Sequence, residues 1–271
     1  MSSARTTSLL QVAQAFWCMG RQEALSYPFA IVNRAVNLMA AVFLLFFASD
    51  LVPTASLGGM SFASFALFGL AALQLLGACL SVFPGQLRQM QVTGQFEACL
   101  MTLTPPWKLL LAMPSYALSA ASLRALVLLI LGTVMAGDAL DPAGILPAMA
   151  FLGLGVACFV CLGLLSASIT LVIKRGDPIA RLVQLGSLLL AGTFVPRDAL
   201  PPLLAEVGAW FPIGPMLDGM RGSLFGSAGQ EEPLSALLRL VVLVGILVPM
   251  TIVALPRAVD RVQRDGSAGQ F

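Results

Sequence analysis

Histidine is missing from all 271 residues, and with it the commonest general base and metal-ligating side chain. Charge is nearly as scarce: only 10% of the residues are Asp, Glu, Lys or Arg. No G-x-x-x-x-G-K-[ST] loop occurs, so the chain lacks that device for gripping a nucleotide triphosphate. No serine sits in the strained Gly-x-Ser-x-Gly turn of a hydrolase, and no carboxylate pair is carried by two facing apolar runs. These absences weigh against a membrane-embedded protease or transferase. Few ionisable groups fall inside the apolar runs, which weighs against an ion-coupled secondary transporter as well. No polar stretch is long enough to fold alone, the longest being Pro84–Pro106 and Pro196–Leu234. The first twenty residues have no continuous apolar run or cleavage site, so the first long run is expected to act as the insertion signal.

What the chain has in abundance is hydrocarbon. Crossing a bilayer takes roughly 20 mostly apolar helical residues, and six stretches are candidates. They are Ile31–Ser49, Ser61–Val82, Leu109–Ala136, Ile145–Ile173, Ile179–Val195 and Leu237–Leu255. The expected fold is all-α: a polytopic membrane protein of six transmembrane helices in one domain over residues 1–271. If the spans alternate from a cytoplasmic N-terminus, the inner segments hold Arg5, Arg21, Arg34, Arg88, Lys108, Lys174, Arg175, Arg181, Arg257, Arg261 and Arg264. The outer segments hold only Arg197, Arg221 and Arg239, against Asp50, Asp138, Asp141, Asp198, Glu206, Asp218, Glu231 and Glu232. That Lys/Arg excess is the orientation signal, and it places both termini in the cytoplasm. All five cysteines then lie in spans or inner segments, where disulfides are not expected. Cys158 and Cys161 have CxxC spacing, but inside an unbroken apolar helix they merely share a face.

Three polar segments stand out. In residues 8–27, Gln11, Gln14, Cys18, Arg21 and Gln22 recur at helical spacing opposite Leu9, Leu10, Val12, Ala13, Phe16 and Trp17. This pattern fits an amphipathic helix in the interfacial plane, or one packed on the bundle, before Tyr27-Pro28 turns the chain inward. In residues 85–106, Pro84-Gly85 is expected to end the second span. Thr93 or Gly94 can then cap a short helix with Glu97 in its first turn. Phe96, Cys99, Leu100 and Leu103 form its apolar stripe, and Pro105-Pro106 stop it. Such a helix is either an apolar knob offered to a partner or a loop helix tucked against the membrane. Residues 196–227, with Phe194-Val195-Pro196 before them, are too apolar for a solvated loop and too rich in proline for a span. Short helices dipping back into the outer leaflet fit them, as does an interfacial loop anchored by Trp210. Arg124 lies at membrane depth in the third span and either faces a cavity or snorkels to the interface.

Taken in order, these features resemble the permease subunits of ABC-2 type exporters. The resemblance rests on Gly94-Gln95-Phe96-Glu97 through Leu103-Thr104-Pro105, on Lys174-Arg175-Gly176-Asp177-Pro178, and on Phe194-Val195-Pro196 with Leu200-Pro201 and Phe211-Pro212. It departs from the family at Gln95-Phe96, often Thr-Leu there, and at the Pro-Ile-Gly-Pro run after Phe211. The resemblance implies an export subunit that binds no cofactor itself, with ATP and Mg held by a separate ATP-binding subunit. It implies that Arg88, Gln95, Phe96, Glu97 and Leu100 contact that subunit through a cytoplasmic coupling helix, with Arg175 and Asp177 as a smaller contact. It further implies an outer re-entrant hairpin, a second permease copy, identical or paralogous, and a bacterial inner membrane. No catalytic or metal residues and no nucleic-acid partner are expected. Arg124, Phe194 and Trp210 are the candidates for the path of a lipid, glycolipid, polysaccharide or amphipathic drug-like cargo. The competing expectation is a membrane anchor or channel-like subunit that recruits a cytosolic ATPase without transporting.

Overall fold

A computed structural model describes residues 8–49, 60–94, 106–135, 141–173, 178–226 and 232–264. Every regular element among them is helical. Helix α1 spans Leu9–Ser26, α2 Pro28–Ser49, α3 Phe62–Val92, α4 Pro106–Ala112, α5 Ser115–Met135 and α6 Ile145–Ile173. Then come α7 (Pro178–Leu190), α8 (Pro202–Ala209), α9 (Ile213–Phe225) and α10 (Pro233–Arg264). Five stretches are long and apolar enough to cross a bilayer: α2, α3, α4 with α5, α6 preceded by its 3-10 turn, and α10. The chain is a multi-pass, all-α membrane protein.

Helix α3 is the axis of the bundle. It packs on α5 and α6 through Leu67, Phe68, Ala71, Ala72, Leu75, Leu76 and Cys79, which meet Ala121, Ala125, Leu128, Cys158 and Phe159. Lipid tails are as apolar as leucine, so close backbone approach through small residues must supply much of the association. The chain obliges: a side chain at Gly163 would overlap the Cys79 carbonyl, and one at Gly132 would press on the Phe68 ring. A second cluster fastens the other end of α3, where Phe83, Leu87 and Met90 meet Leu110, Met113, Leu171, Leu255 and Val259.

Pro84 does not end this helix, contrary to the reading of Pro84-Gly85 as a stop. α3 continues to Val92. Proline at 84 deprives the Leu80 carbonyl of its helical donor, and the Ser166 hydroxyl of α6 donates to that oxygen at 3.5 Å. A neighbouring helix thus repairs the ladder, which is how transmembrane helices accommodate proline.

Helix α1 begins with a reciprocal cap, Gln11 N–H to Ser8 Oγ and Ser8 N–H to Gln11 Oε1. It lies across α4 and α5, its Trp17 indole donating to Ser119 Oγ at 3.0 Å and stacking edge-on against Tyr116. Leu10, Met19 and Leu25 stay exposed around it, so the helix is docked on the bundle while keeping apolar side chains at its surface. Helix α2 has no buried residue at all.

The expected fifth span is not a continuous helix over its length. Ile179–Val195 gives only the 13-residue α7, about 20 Å long at 1.5 Å per residue, against roughly 30 Å of hydrocarbon. Gly192 adopts φ +72°, a left-handed conformation that glycine takes without steric penalty, and the chain leaves the helix there. The irregular run Ala191–Thr193 is nonetheless buried. A 3-10 turn at Arg197–Ala199, then α8 and α9, complete a compact broken segment; α9 buries ten of its residues against α6, α10 and α3. Gly208 lies so close to α7 that a β-carbon would overlap the Leu190 carbonyl. Gly208→Ala should therefore destabilise the chain by about 1–3 kcal/mol, as overpacking does. A thermal-melt comparison in detergent checks this, and an unchanged melt would mean the contact is not formed.

Candidate functional site, a polar cleft between helices

Two polar assemblies stand out inside an otherwise apolar bundle. The first holds the broken segment together. Asp218 of α9 forms a buried ion pair with Arg197. One turn on, the fully buried Arg221 donates to the carbonyls of Phe65 at 2.7 Å and Gly192 at 2.9 Å. Its guanidinium lies 3.5 Å from the centroid of the Phe65 ring. Irregular backbone survives at membrane depth only where protein satisfies its polar groups, and Arg221 does this for Gly192. Thr193 adds a bond from its hydroxyl to the Ser187 carbonyl at 2.8 Å.

The second assembly is a cleft of about 880 Å³ at the end of the bundle that holds α1 and the C-terminal half of α3. Four helices each present one face to it. From α2 come Ile31, Arg34, Asn37 and Leu38; from α3, Leu70, Leu73, Gln74, Gly77, Ser81, Gln86 and Gln89. From α5 come Tyr116, Ala117, Ala120 and Arg124, and from α1 Gly20, Glu23 and Tyr27. Spacings of three and four residues on each helix produce these faces. Gln184 of α7 closes one wall, its amide nitrogen standing 3.0 Å from where a β-carbon at Gly77 would be.

Two guanidiniums therefore share a pocket whose other walls carry amides, two tyrosines, a serine, one glutamate and aliphatic carbons. Arg34 is exposed on α2 and Arg124 half-buried on α5. Among the described residues no carboxylate forms an ion pair with either, and Glu23 is the one acid in the lining. The Gln86 side-chain oxygen is buried without a hydrogen-bond partner. Such a cleft can hold an anion. It offers no nucleophile with an adjacent base, and no group of three or more metal-ligating side chains occurs among the described residues.

The residues singled out from the sequence are scattered. Arg124 lines the cleft, which fits the cavity-facing alternative for that charge. Phe194 is half-buried at the end of the irregular run after α7, and Trp210, 48% exposed, caps α8 with the Arg239 guanidinium 5.8 Å from its ring. Neither belongs to the cleft lining, so the three do not form one site. Arg88 is exposed near the end of α3. Gln95, Phe96, Glu97, Leu100, Arg175 and Asp177 lie outside the described residues. Cys158 is buried and Cys161 half-buried in α6, both as free thiols. Arg34, Gln74 and Gln184 line the cleft without being among the residues expected there; polar side chains interrupting apolar helical faces are the signal that marks them.

Comparison with known proteins gives no independent assignment: no protein-family model matches the chain, and no curated protein sequence matches it.

Proposed function

We propose that this chain is the membrane-spanning subunit of an ABC-2 type exporter, moving an amphipathic cargo outward with energy from ATP hydrolysed on a separate subunit. One observation carries the reading. The buried break after α7, with α8 and α9 behind it, falls between the last two apolar stretches and is braced by Arg221. That is the position of the Pro-rich re-entrant hairpin in the family the sequence resembles. The polar cleft supports it by offering a cargo a partly desolvated, partly apolar site. The unburied faces of α2 support a lateral neighbour, either lipid or a second permease copy.

In this reading both termini are cytoplasmic and the membrane is a bacterial inner membrane. The segment from Gln95 to Leu100 seats in a groove of the ATP-binding subunit, with Arg88 beside it and Arg175 and Asp177 as the lesser contact. Closure of two such ATPases rocks two permeases against each other and exchanges inward- for outward-facing states.

Affinity purification of the tagged chain from detergent-solubilised membranes tests the reading. An ATPase subunit in equal stoichiometry, with vanadate-sensitive hydrolysis, is the expected result. Recovery of the chain with no nucleotide-hydrolysing partner would overturn it and favour a channel-like role. A stoichiometric ATPase whose hydrolysis moves no cargo would leave the anchor role instead.

A further inference from the structure

We infer that the cleft between α1, α2, α3 and α5 is a binding site for the phosphate headgroup of an anionic amphiphile, which Arg34 and Arg124 grip from two sides. The argument begins with an electrostatic imbalance. Arg34, exposed on α2, and Arg124, half-buried on α5, line one cleft between helices of a membrane bundle, where their like charges repel. Ordinarily a carboxylate would neutralise them. Here none pairs with either among the described residues, and Glu23 is exposed on α1 at the rim. An anion from outside the chain supplies the missing charge. Arginine favours phosphate in particular, because its planar donors match two oxygens at once.

The rest of the lining says what the anion is attached to. Gln74, Gln86, Gln89 and Gln184 are neutral groups suited to the ester, hydroxyl or sugar oxygens of a headgroup, and the Gln86 side-chain oxygen is already buried and unpaired. Leu70, Leu73, Ile31 and Leu38 provide aliphatic wall beside them. The cleft is bounded on one flank by α2, whose Val32, Val36, Phe43 and Phe47 are exposed on the surface of the bundle, as a lipid-facing helix requires. A tail can therefore remain in lipid while the headgroup enters. Free inorganic phosphate would satisfy the arginines and leave the apolar walls unused. The inference deepens the export reading by naming the cargo's charged group, but binding itself needs no ATPase.

The test uses the full chain, purified in a non-ionic detergent without partners, and isothermal titration. The probes are dioctanoyl phosphatidic acid, dioctanoylglycerol as its neutral counterpart, and inorganic phosphate. Phosphatidic acid should bind at least tenfold more tightly than either. Arg34→Gln with Arg124→Gln should weaken that binding tenfold or more, while Arg257→Gln, exposed on α10 and outside the cleft, should leave it unchanged. Because loss of two arginines could disturb folding, Ala120→Trp provides a second arm: it fills the cleft, keeps both charges, and should abolish binding with an unaltered gel-filtration profile. Equal binding of the neutral lipid, or full binding by the double variant or by Ala120→Trp, would overturn the proposal. Equal binding of inorganic phosphate would overturn the amphiphile and leave a simple anion site. None of these outcomes depends on whether an ATPase co-purifies, so this inference and the export reading fail separately.

Discussion

Arg221→Leu is expected to lower the melting temperature of the detergent-solubilised chain by about 5–15 °C, from a loss of about 2–4 kcal/mol. Two effects oppose each other. Removing a fully buried guanidinium relieves its desolvation, and apolar replacements of buried ions are often tolerated on that account. Against this, the Gly192 carbonyl loses its donor while remaining buried, at roughly 1–3 kcal/mol, and the Phe65 carbonyl inside α3 keeps its helical donor but loses a second, charge-assisted bond. The stacking of the guanidinium over the Phe65 ring is lost as well, worth about 2 kcal/mol where desolvated. Leucine repairs none of these, so the loss wins. Arg221→Lys should fall between, because an ammonium can reach the carbonyls but cannot stack as a plane. Glu206→Gln should change the melt little, since its 3.6 Å pair with Arg239 is on the surface, with Glu206 largely exposed. Limited proteolysis localises the effect: cleavage should accelerate between Ala191 and Phe225. An unchanged melt with unchanged cleavage would show that Arg221 does not brace the break.

That brace also explains why the run Ile179–Val195 forms a shorter helix than its composition predicts. Run length alone identifies a spanning helix wherever the helix is continuous, and the runs behind α2, α3, α5, α6 and α10 were visible for that reason. Ile179–Val195 has the same composition, but its helix ends at Leu190, just before the left-handed Gly192. Only the donor on α9, 29 residues further on, lets the chain stop being helical there at little penalty. Pro84 misled in the opposite direction. A local window reads Pro-Gly as termination, whereas the Ser166 hydroxyl that serves the Leu80 carbonyl comes from another helix, 86 residues away. Both cases turn on hydrogen bonds between residues far apart in sequence, which no periodicity records.

The cleft was half legible for a related reason. Arg124 announced itself as a charge at membrane depth. Arg34 sits near the start of α2 and counted only toward the inner positive charge, and Gln74 and Gln184 are single amides in apolar runs. Each becomes a site residue only when four helix faces converge. Intramembrane amides are therefore better clues to a cavity than their modest polarity implies.

Phe96→Asp should reduce transport at least a hundredfold while leaving membrane insertion and the melting temperature of the isolated chain unchanged. In the sequence, Phe96, Cys99, Leu100 and Leu103 make one apolar stripe on the short segment before Pro105-Pro106. An aromatic anchor in a partner's groove commonly carries more than 2 kcal/mol of binding, and up to about 4. Aspartate loses that anchor and adds a charge with no partner in an apolar groove, so about 4 kcal/mol is a fair expectation, close to a thousandfold in affinity. Glu97→Lys should be milder, about tenfold, because it alters a rim charge rather than the anchor. The measurement is cargo movement and ATP hydrolysis in proteoliposomes holding both subunits. The loss should be partly overcome by excess ATPase subunit, since the lesion is in association and not in the cargo site. Double Arg34→Gln, Arg124→Gln chains provide the contrast, for they should keep the ATPase bound and lose cargo response instead. Normal transport by both Phe96→Asp and Glu97→Lys would remove this segment from the coupling role.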